Sequence, residues 1–261
     1  MRNLKLEIEY DGSNYVGWQI QNRHRSPVTG RQSKTIQETI ERILRKVLQE
    51  KVQLIVSGRT DSGVHAVAQI ANFKTNSQIS PGRLQLALNG NLPHDIVITK
   101  IKDVPLDFHS RFSAKSKVYR YTILNRGYHS PLVRNTVYFF HHPLDVNLMR
   151  KAAKRLLGKH DFKAFCASGS KVKNTVRTIK SIDITKKRTA HNAGRITLIV
   201  IDVEADGFLY NMVRNIVGTL IDLGRGRLSS DSLKKILKSK DRRLAGPIAP
   251  AQGLCLLKVN Y

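Results

Sequence analysis

Along the first hundred residues the spacing of apolar side chains switches between two periods. Residues 4–10 (LKLEIEY) alternate apolar with polar, as a strand with one buried face does. From Ile36 the period lengthens, and Ile36, Ile40, Ile43, Leu44, Val47 and Leu48 fall on one face of a helix. Thr35, followed three residues later by Glu38, forms a capping box at its start. Val52–Ser57 and Val67–Phe73 read as strands on either side of a turn-rich segment, Gly58–Ala66. Ser80-Pro81 opens a short helix through Leu84, Leu86, Ala87 and Leu88, with proline at the first helical position. Ile96–Ile101 closes the series as a strand. The predicted order is β-α-β-β-α-β.

The second half repeats that order on a longer scale. Lys117–Leu124 reads as a strand with Tyr119, Tyr121 and Ile123 on one side, and Val137–Phe140 returns beside it. Asp145 caps a helix carrying Leu148, Met149, Ala152, Ala153, Leu156 and Leu157, which stops at Gly158. Strands are predicted at Val176–Thr185 and Arg195–Glu204, helices at Phe208–Leu223 and Ser230–Ser239, and a last strand at Leu254–Val259. The pattern predicts an α/β (α+β) chain of two tandem ferredoxin-like or RNA-recognition-like halves, 1–105 and 106–261, with a central cleft.

Composition narrows the function. The chain has 261 residues, 41% of them hydrophobic, enough to bury a core. No apolar run approaches the roughly 18 residues of a membrane span. Residues 1–30 contain no signal-peptide apolar core, and they hold acids where a transit peptide avoids them. Cys166 and Cys255 show no metal-ligand spacing, so free thiols in a reducing cytoplasm are expected. Lys and Arg number 45 against 19 Asp and Glu, a net charge of +26. Such an excess opposes compaction by self-repulsion and attracts a polyanion. No helix pairs a Trp/Phe/Leu face with a Lys/Arg face as membrane-surface binding requires, which favours nucleic acid over a membrane surface as the polyanion. Residues 1–105 carry a net +6 and residues 106–261 a net +20, so the electrostatic footing lies mainly in the second half.

Candidate chemistry concentrates in Gly58-Arg59-Thr60-Asp61-Ser62-Gly63-Val64-His65-Ala66. A tight turn is the plain reading, since Asp-Ser-Gly is ordinary turn chemistry. An aspartic-protease half-site would need a second carboxylate sharing a proton with Asp61. A Ser62/His65/Asp61 triad would need a nucleophile elbow, and Ser62 has none. An acid beside an arginine on a polyanion-binding chain suits another role. At about 4 Å and an effective dielectric near 20, the pair attracts by roughly 4 kcal/mol before desolvation, which keeps the acid ionised as a nucleophile. Alternatively, the arginine fills the gap left by a base swung out of an RNA stack.

This segment resembles the catalytic motif of the TruA family of tRNA pseudouridine synthases, and the likeness runs almost end to end. It includes Glu9-Tyr10-Asp11-Gly12 with Tyr15 and Gly17-Trp18-Gln19, and Asn89-Gly90-Asn91-Leu92-Pro93 with Asp95-Ile96. Phe108-His109-Ser110-Arg111-Phe112-Ser113-Ala114, Tyr119-Arg120-Tyr121 and His160-Asp161-Phe162 with Phe165 follow. Phe208, Met212-Val213-Arg214-Asn215 with Gly218, and Ala249-Pro250-Ala251 with Gly253-Leu254 complete the set. The resemblance implies isomerisation of uridine to pseudouridine at positions 38, 39 and 40 of the tRNA anticodon stem-loop, by a homodimer needing no metal or other cofactor. It implies Asp61 as the nucleophile. Whether the carboxylate attacks the sugar, attacks the ring or assists an elimination stays open. It further implies Tyr119 against the flipped uracil, helping to remove the C5 proton, Arg214 as partner of the catalytic acid, Arg59 in base flipping and Leu254 in the pocket wall.

Phe108, His109 and Arg111 interleave aromatic and basic groups suited to base stacking and phosphate contact; an ordinary loop is the alternative. Lys171 with Lys173, Lys186-Lys187-Arg188, and Arg225 with Arg227 are phosphate-contact candidates or solvated surface. His141-His142 lacks a third ligand at metal spacing. The basic stretch 22–34 is longer than the resemblance leads one to expect. A non-catalytic RNA-binding protein is the rival from another class.

Overall fold

The computed structural model describes residues 1–20, 34–169, 172–191, 194–229 and 231–261. Most of the basic stretch 22–34, together with Lys171 and the Arg188 side chain, lies outside the described residues. The chain adopts the mixed α/β class that its patterning predicts, in two compact units: Met1–Lys115 with Leu256–Tyr261, and Ser116–Cys255.

The first unit runs β1 (Arg2–Tyr10), α1 (Ile36–Leu48), β2 (Ile55–Val56), β3 (His65–Thr75), α2 (Pro81–Asn89) and β4 (Ile96–Val104). Strand β1 is central. It pairs antiparallel with β4 on one side (Leu6↔Ile101) and with β3 on the other (Leu6↔Ala71). The far edge of β3 takes β2, and most of β10 (Leu254–Asn260) also joins this sheet beside β3. Alternation along β1 puts Leu4, Leu6 and Ile8 on the buried face and leaves Lys5, Glu7 and Glu9 on the other. The apolar stripes of α1 (Ile36, Ile40, Leu44) and α2 (Leu84, Leu88) are buried. The Thr35 hydroxyl accepts from Glu38 N–H (3.2 Å), as the capping box predicts. The strand read at 52–57 shortens to Ile55–Val56 because the Leu54 N–H donates to the Glu41 carboxylate of α1 (2.8 Å) instead of to a ladder.

The second unit runs β5 (Ser116–Asn125), β6 (Tyr138–Phe140), α3 (Val146–Ala153), β7 (Gly158–Asp161), β8 (Val176–His191), β9 (Gly194–Ala205), α4 (Met212–Gly224) and α5 (Ser232–Ser239). Its antiparallel order is β7-β8-β9-β5, with β6 added parallel to the end of β5 (Ile123↔Tyr138). Helix α3 ends sooner than its periodicity suggests. Lys154–Leu156 tightens into a 3-10 turn, and Gly158, at φ +91°, starts the unforeseen strand β7. Helix α4 begins at Met212 rather than Phe208, because Asn211 takes a left-handed backbone conformation at φ +58°. It is buried almost all round. At Gly218 a Cβ would stand 1.6 Å from the Pro247 carbonyl, so the chain after α5 crosses α4 at backbone contact. Among the described residues, no helix is long and apolar enough to cross a membrane.

Candidate active site

Asp61 lies half-buried in the loop joining β2 to β3, with exposed Arg59 and Ser62 on either side. The segment after β1 holds that loop by its backbone. Trp18 N–H donates to Thr60 O (3.1 Å), Gly63 N–H donates to Tyr15 O (3.4 Å), and Ser62 Oγ donates to the same Tyr15 carbonyl (3.1 Å). The buried Thr60 hydroxyl meets the Tyr10 hydroxyl at 2.8 Å, and Val64 N–H closes the turn on Asp61 O (3.2 Å). Two glycines permit so close an approach. A Cβ at Gly12 would stand 2.0 Å from Val64 O; one at Gly17, where φ is +100°, would stand 2.6 Å from Thr60 O. The carbonyls of Gly17 and Trp18 also accept from Ile36 and Gln37 N–H, satisfying otherwise orphaned donors of the first turn of α1.

Side chains extend this brace. Tyr15 donates its hydroxyl to Asp95 Oδ1 (2.6 Å); burial first, and then this bond to a carboxylate, raises the phenol pKa well above its ordinary value. Gly12 N–H donates to His65 Nδ1 (3.1 Å). The same nitrogen lies 3.1 Å from Asp11 Oδ1, an approach that becomes an ion pair only when the ring is protonated, at the expense of the Gly12 bond. The resemblance includes Gly12, Tyr15, Gly17 and Trp18 without assigning them a task. They are the support of the Asp61 loop. Their signal was the pair of glycines flanking Tyr15, which hydropathy does not register.

In the second unit, Tyr119 projects from β5 opposite Val203 and is 7% exposed, its ring edge-on to Phe208 at 5.0 Å. Arg214 sits on the first turn of α4, half-buried. Its Nε donates to Ala249 O (2.7 Å) and its Nη1 to Asn211 Oδ1 (2.9 Å), so two bonds orient the guanidinium plane. The Ala249–Leu254 segment is fixed in turn by Tyr121, whose hydroxyl donates to Pro250 O (2.7 Å). A Cβ at Gly253 would stand 2.6 Å from the Tyr121 ring. Leu254 follows, buried, at the start of β10. Arg120 is engaged by a bidentate pair with Asp202 across the ladder (2.8 and 2.7 Å).

The remaining candidates lie elsewhere. Phe108, His109 and Arg111 are not beside Asp61; they sit near the opposite end of β3, next to Asn72, seven residues from His65 or roughly 20 Å along a strand. Phe108 packs on Tyr261 (5.1 Å between centroids), with the Lys5 ammonium 5.6 Å from its ring. Buried Ser110 donates Oγ–H to Asn72 Oδ1 (2.7 Å) and anchors the turn, whose outward part is His109, Arg111 and the 77%-exposed Phe112. His141 and His142 stack at 3.8 Å on the surface. Among the described residues, no group of three or more His, Cys, Asp or Glu side chains could hold a metal.

A family model described as tRNA pseudouridine synthase matches residues 7–113 and 152–261 of the chain. The first stretch holds the Asp61 loop and its brace, the second Arg214 and the Ala249–Leu254 segment; Tyr119 falls between them. Over 261 residues, with 100% of both chains covered, the chain is 48% identical to tRNA pseudouridine synthase A of Thermoanaerobacter sp. (strain X514). On the same coverage it is 47% identical to that of Clostridium acetobutylicum, and 50% identical to tRNA pseudouridine synthase A 2 of Clostridium perfringens (strain 13 / Type A). Family match, full-length relatives and a braced acidic turn converge: the chain belongs to the tRNA pseudouridine synthase family.

Proposed function

We propose that this chain isomerises uridine to pseudouridine at positions 38, 39 and 40 of the tRNA anticodon stem-loop, with the Asp61 carboxylate as nucleophile on an everted base. Isomerisation of a tRNA uridine comes with membership of the family; the positions and the nucleophile are the finer part of the reading. The observation that carries it is the fixing of the Asp61 turn by Gly12, Tyr15, Gly17 and Trp18. A carboxylate that must meet one atom of an extruded nucleotide gains most from a backbone with no freedom left to lose. The C1′–N1 bond breaks, the base turns, and a C1′–C5 bond forms; C5 gives up a proton and N1 gains one, so the atoms balance. In this scheme Arg59 assists eversion, Tyr119 lies against the uracil, Arg214 pairs with the catalytic acid and Leu254 lines the pocket. The two bonds that orient Arg214 and the ring that backs Tyr119 support those roles within their own unit. The reading also places a homodimer on the tRNA, in the cytoplasm.

The test incubates unmodified anticodon stem-loop RNA with the protein and scores pseudouridine by carbodiimide labelling and primer extension. Product at the three positions is expected from the wild type and none from Asp61→Asn, which should keep its RNA affinity. RNA binding with no product from the wild-type chain would favour a non-catalytic RNA-binding protein.

A further inference from the structure

The second unit carries a cavity of about 430 Å³ that none of the residues assigned to the chemistry lines. It lies between the turn after β7 (Lys163 to Gly169), Thr175 ahead of β8, and Lys240–Arg242 after α5. Among the described residues, three cations line it, Lys163, Lys240 and Arg242. The acid in its wall, Asp241, is engaged by the Arg243 guanidinium (2.7 and 3.0 Å).

Arg242 is the informative group. Its Nη2 donates to Asn215 Oδ1 (2.9 Å) and its Nη1 to Ala245 O (3.2 Å), two acceptors without charge. Asn215 is 1% exposed and donates Nδ2–H to Phe165 O (2.8 Å), so one buried amide both aims the guanidinium and holds the turn behind the cavity. Burial lowers the Arg242 pKa below the usual guanidinium value. A half-buried cation bonded to neutral oxygens is incompletely compensated and attracts an anion. Lys240 stands beside it in a left-handed conformation (φ +55°) at the end of α5, where glycine is the usual residue. Its ammonium lies 3.0 Å from Asp161 Oδ2. Lys163 is exposed on the rim. Asn215 follows Arg214 directly on α4, so the helix that orients the candidate catalytic arginine also builds this cavity.

We propose that the cavity is a subsite for a backbone phosphodiester of the RNA. The inference rests on the tRNA reading above, and it adds a contact made by residues other than those assigned to the reacting uridine. A planar guanidinium with the exposed Lys163 ammonium on one side and the Asp161-paired Lys240 ammonium on the other suits a tetrahedral anion.

The test measures filter binding of an unmodified tRNA transcript across a salt series. It compares the wild type, Lys163→Gln, Asp161→Asn and, as reference for a charge lost elsewhere, Lys46→Gln on the exposed face of α1. Lys163→Gln should weaken binding several-fold and flatten the slope of log K against log salt by about 1, with a smaller change for Lys46→Gln. Asp161→Asn, which releases Lys240 from its acid, should tighten binding, a direction that misfolding does not produce. Equal slopes for Lys163→Gln and Lys46→Gln would overturn the proposal, as would weaker binding by an Asp161→Asn protein that melts like the wild type. Pseudouridine formation is scored on the same wild-type preparation. Product without a slope difference removes the cavity alone; a slope difference without product removes the enzymatic reading and leaves the cavity standing.

Discussion

Gly12 and Gly17 act through the atoms they lack. Each lets one strand of backbone lie directly on the loop that carries Asp61, at distances where a methyl group would overlap a carbonyl oxygen. Gly12→Ala must therefore push Val64, and the turn with it, by an ångström or more. Because a misplacement of that size costs on the order of a hundredfold in rate, turnover on tRNA should fall by about that factor while RNA affinity changes little. Parallel measurement of turnover and Kd checks this, and wild-type turnover in the variant would remove the brace from the argument for Asp61. Asp11, in the same segment, provides a pH readout. Burial works against its ionisation, but bonds from Ser13 N–H (2.9 Å) and Oγ–H (2.6 Å) and the neighbouring His65 outweigh it, and its pKa is held below the ordinary carboxylate value. A carboxyl lowered on folding stabilises the protein fully above the unfolded value of about 3.9 and loses that contribution as pH falls through the folded one. Urea midpoints of wild type and Asp11→Asn should differ at neutral pH and converge below about pH 4; a gap that stays constant on acidification would contradict this.

At the scale of elements, local chemistry and distant contacts divide the work. Helix α1 begins where its cap says it should, because the Thr35 hydroxyl takes the Glu38 N–H and the Gly17 and Trp18 carbonyls take the two donors before it, those of Ile36 and Gln37. Thr35→Ala should cost about 1 kcal/mol, read as a lower urea midpoint with unchanged slope; an unmoved midpoint would mean that the backbone acceptors suffice alone. Elements announced by their own residues in this way were legible beforehand: the alternation of β1, the face of α1, the Ser80-Pro81 start of α2. The exceptions were decided from outside. Strand β2 shortens because a glutamate on α1 claims a backbone donor, α4 starts late because Asn211 turns left-handed, and four-residue β7 owes its existence to β8 rather than to any pattern of its own. The candidate site divides on the same line. Asp61, Arg59, Tyr119 and Arg214 could be named from their motifs. The role of Tyr15, the engagement of Arg120 by Asp202 and the distance of Phe108 from Asp61 along β3 follow from tertiary pairings that one-dimensional spacing does not encode.

For the whole molecule the governing quantity is the net charge of +26, most of it carried by residues 106–261. Salt acts on that charge in two opposed ways. It screens the self-repulsion of the free protein, which favours the folded state. It also removes the counterion-release advantage of binding RNA. Thermal midpoint and tRNA affinity should therefore move in opposite directions along one salt titration. If about four phosphates are neutralised, affinity falls roughly a hundredfold between about 50 and about 200 mM monovalent salt, while the midpoint rises by a few degrees. Both quantities are measurable on a single preparation, by melting and by filter binding. Affinity independent of salt would mean that the positive excess does not face the RNA. A midpoint that falls with salt would mean that the charges are already compensated by internal pairs, as Arg120 is by Asp202. Only the opposed pair of slopes fits a surface kept positive for a polyanion, at a standing cost to the fold that carries it.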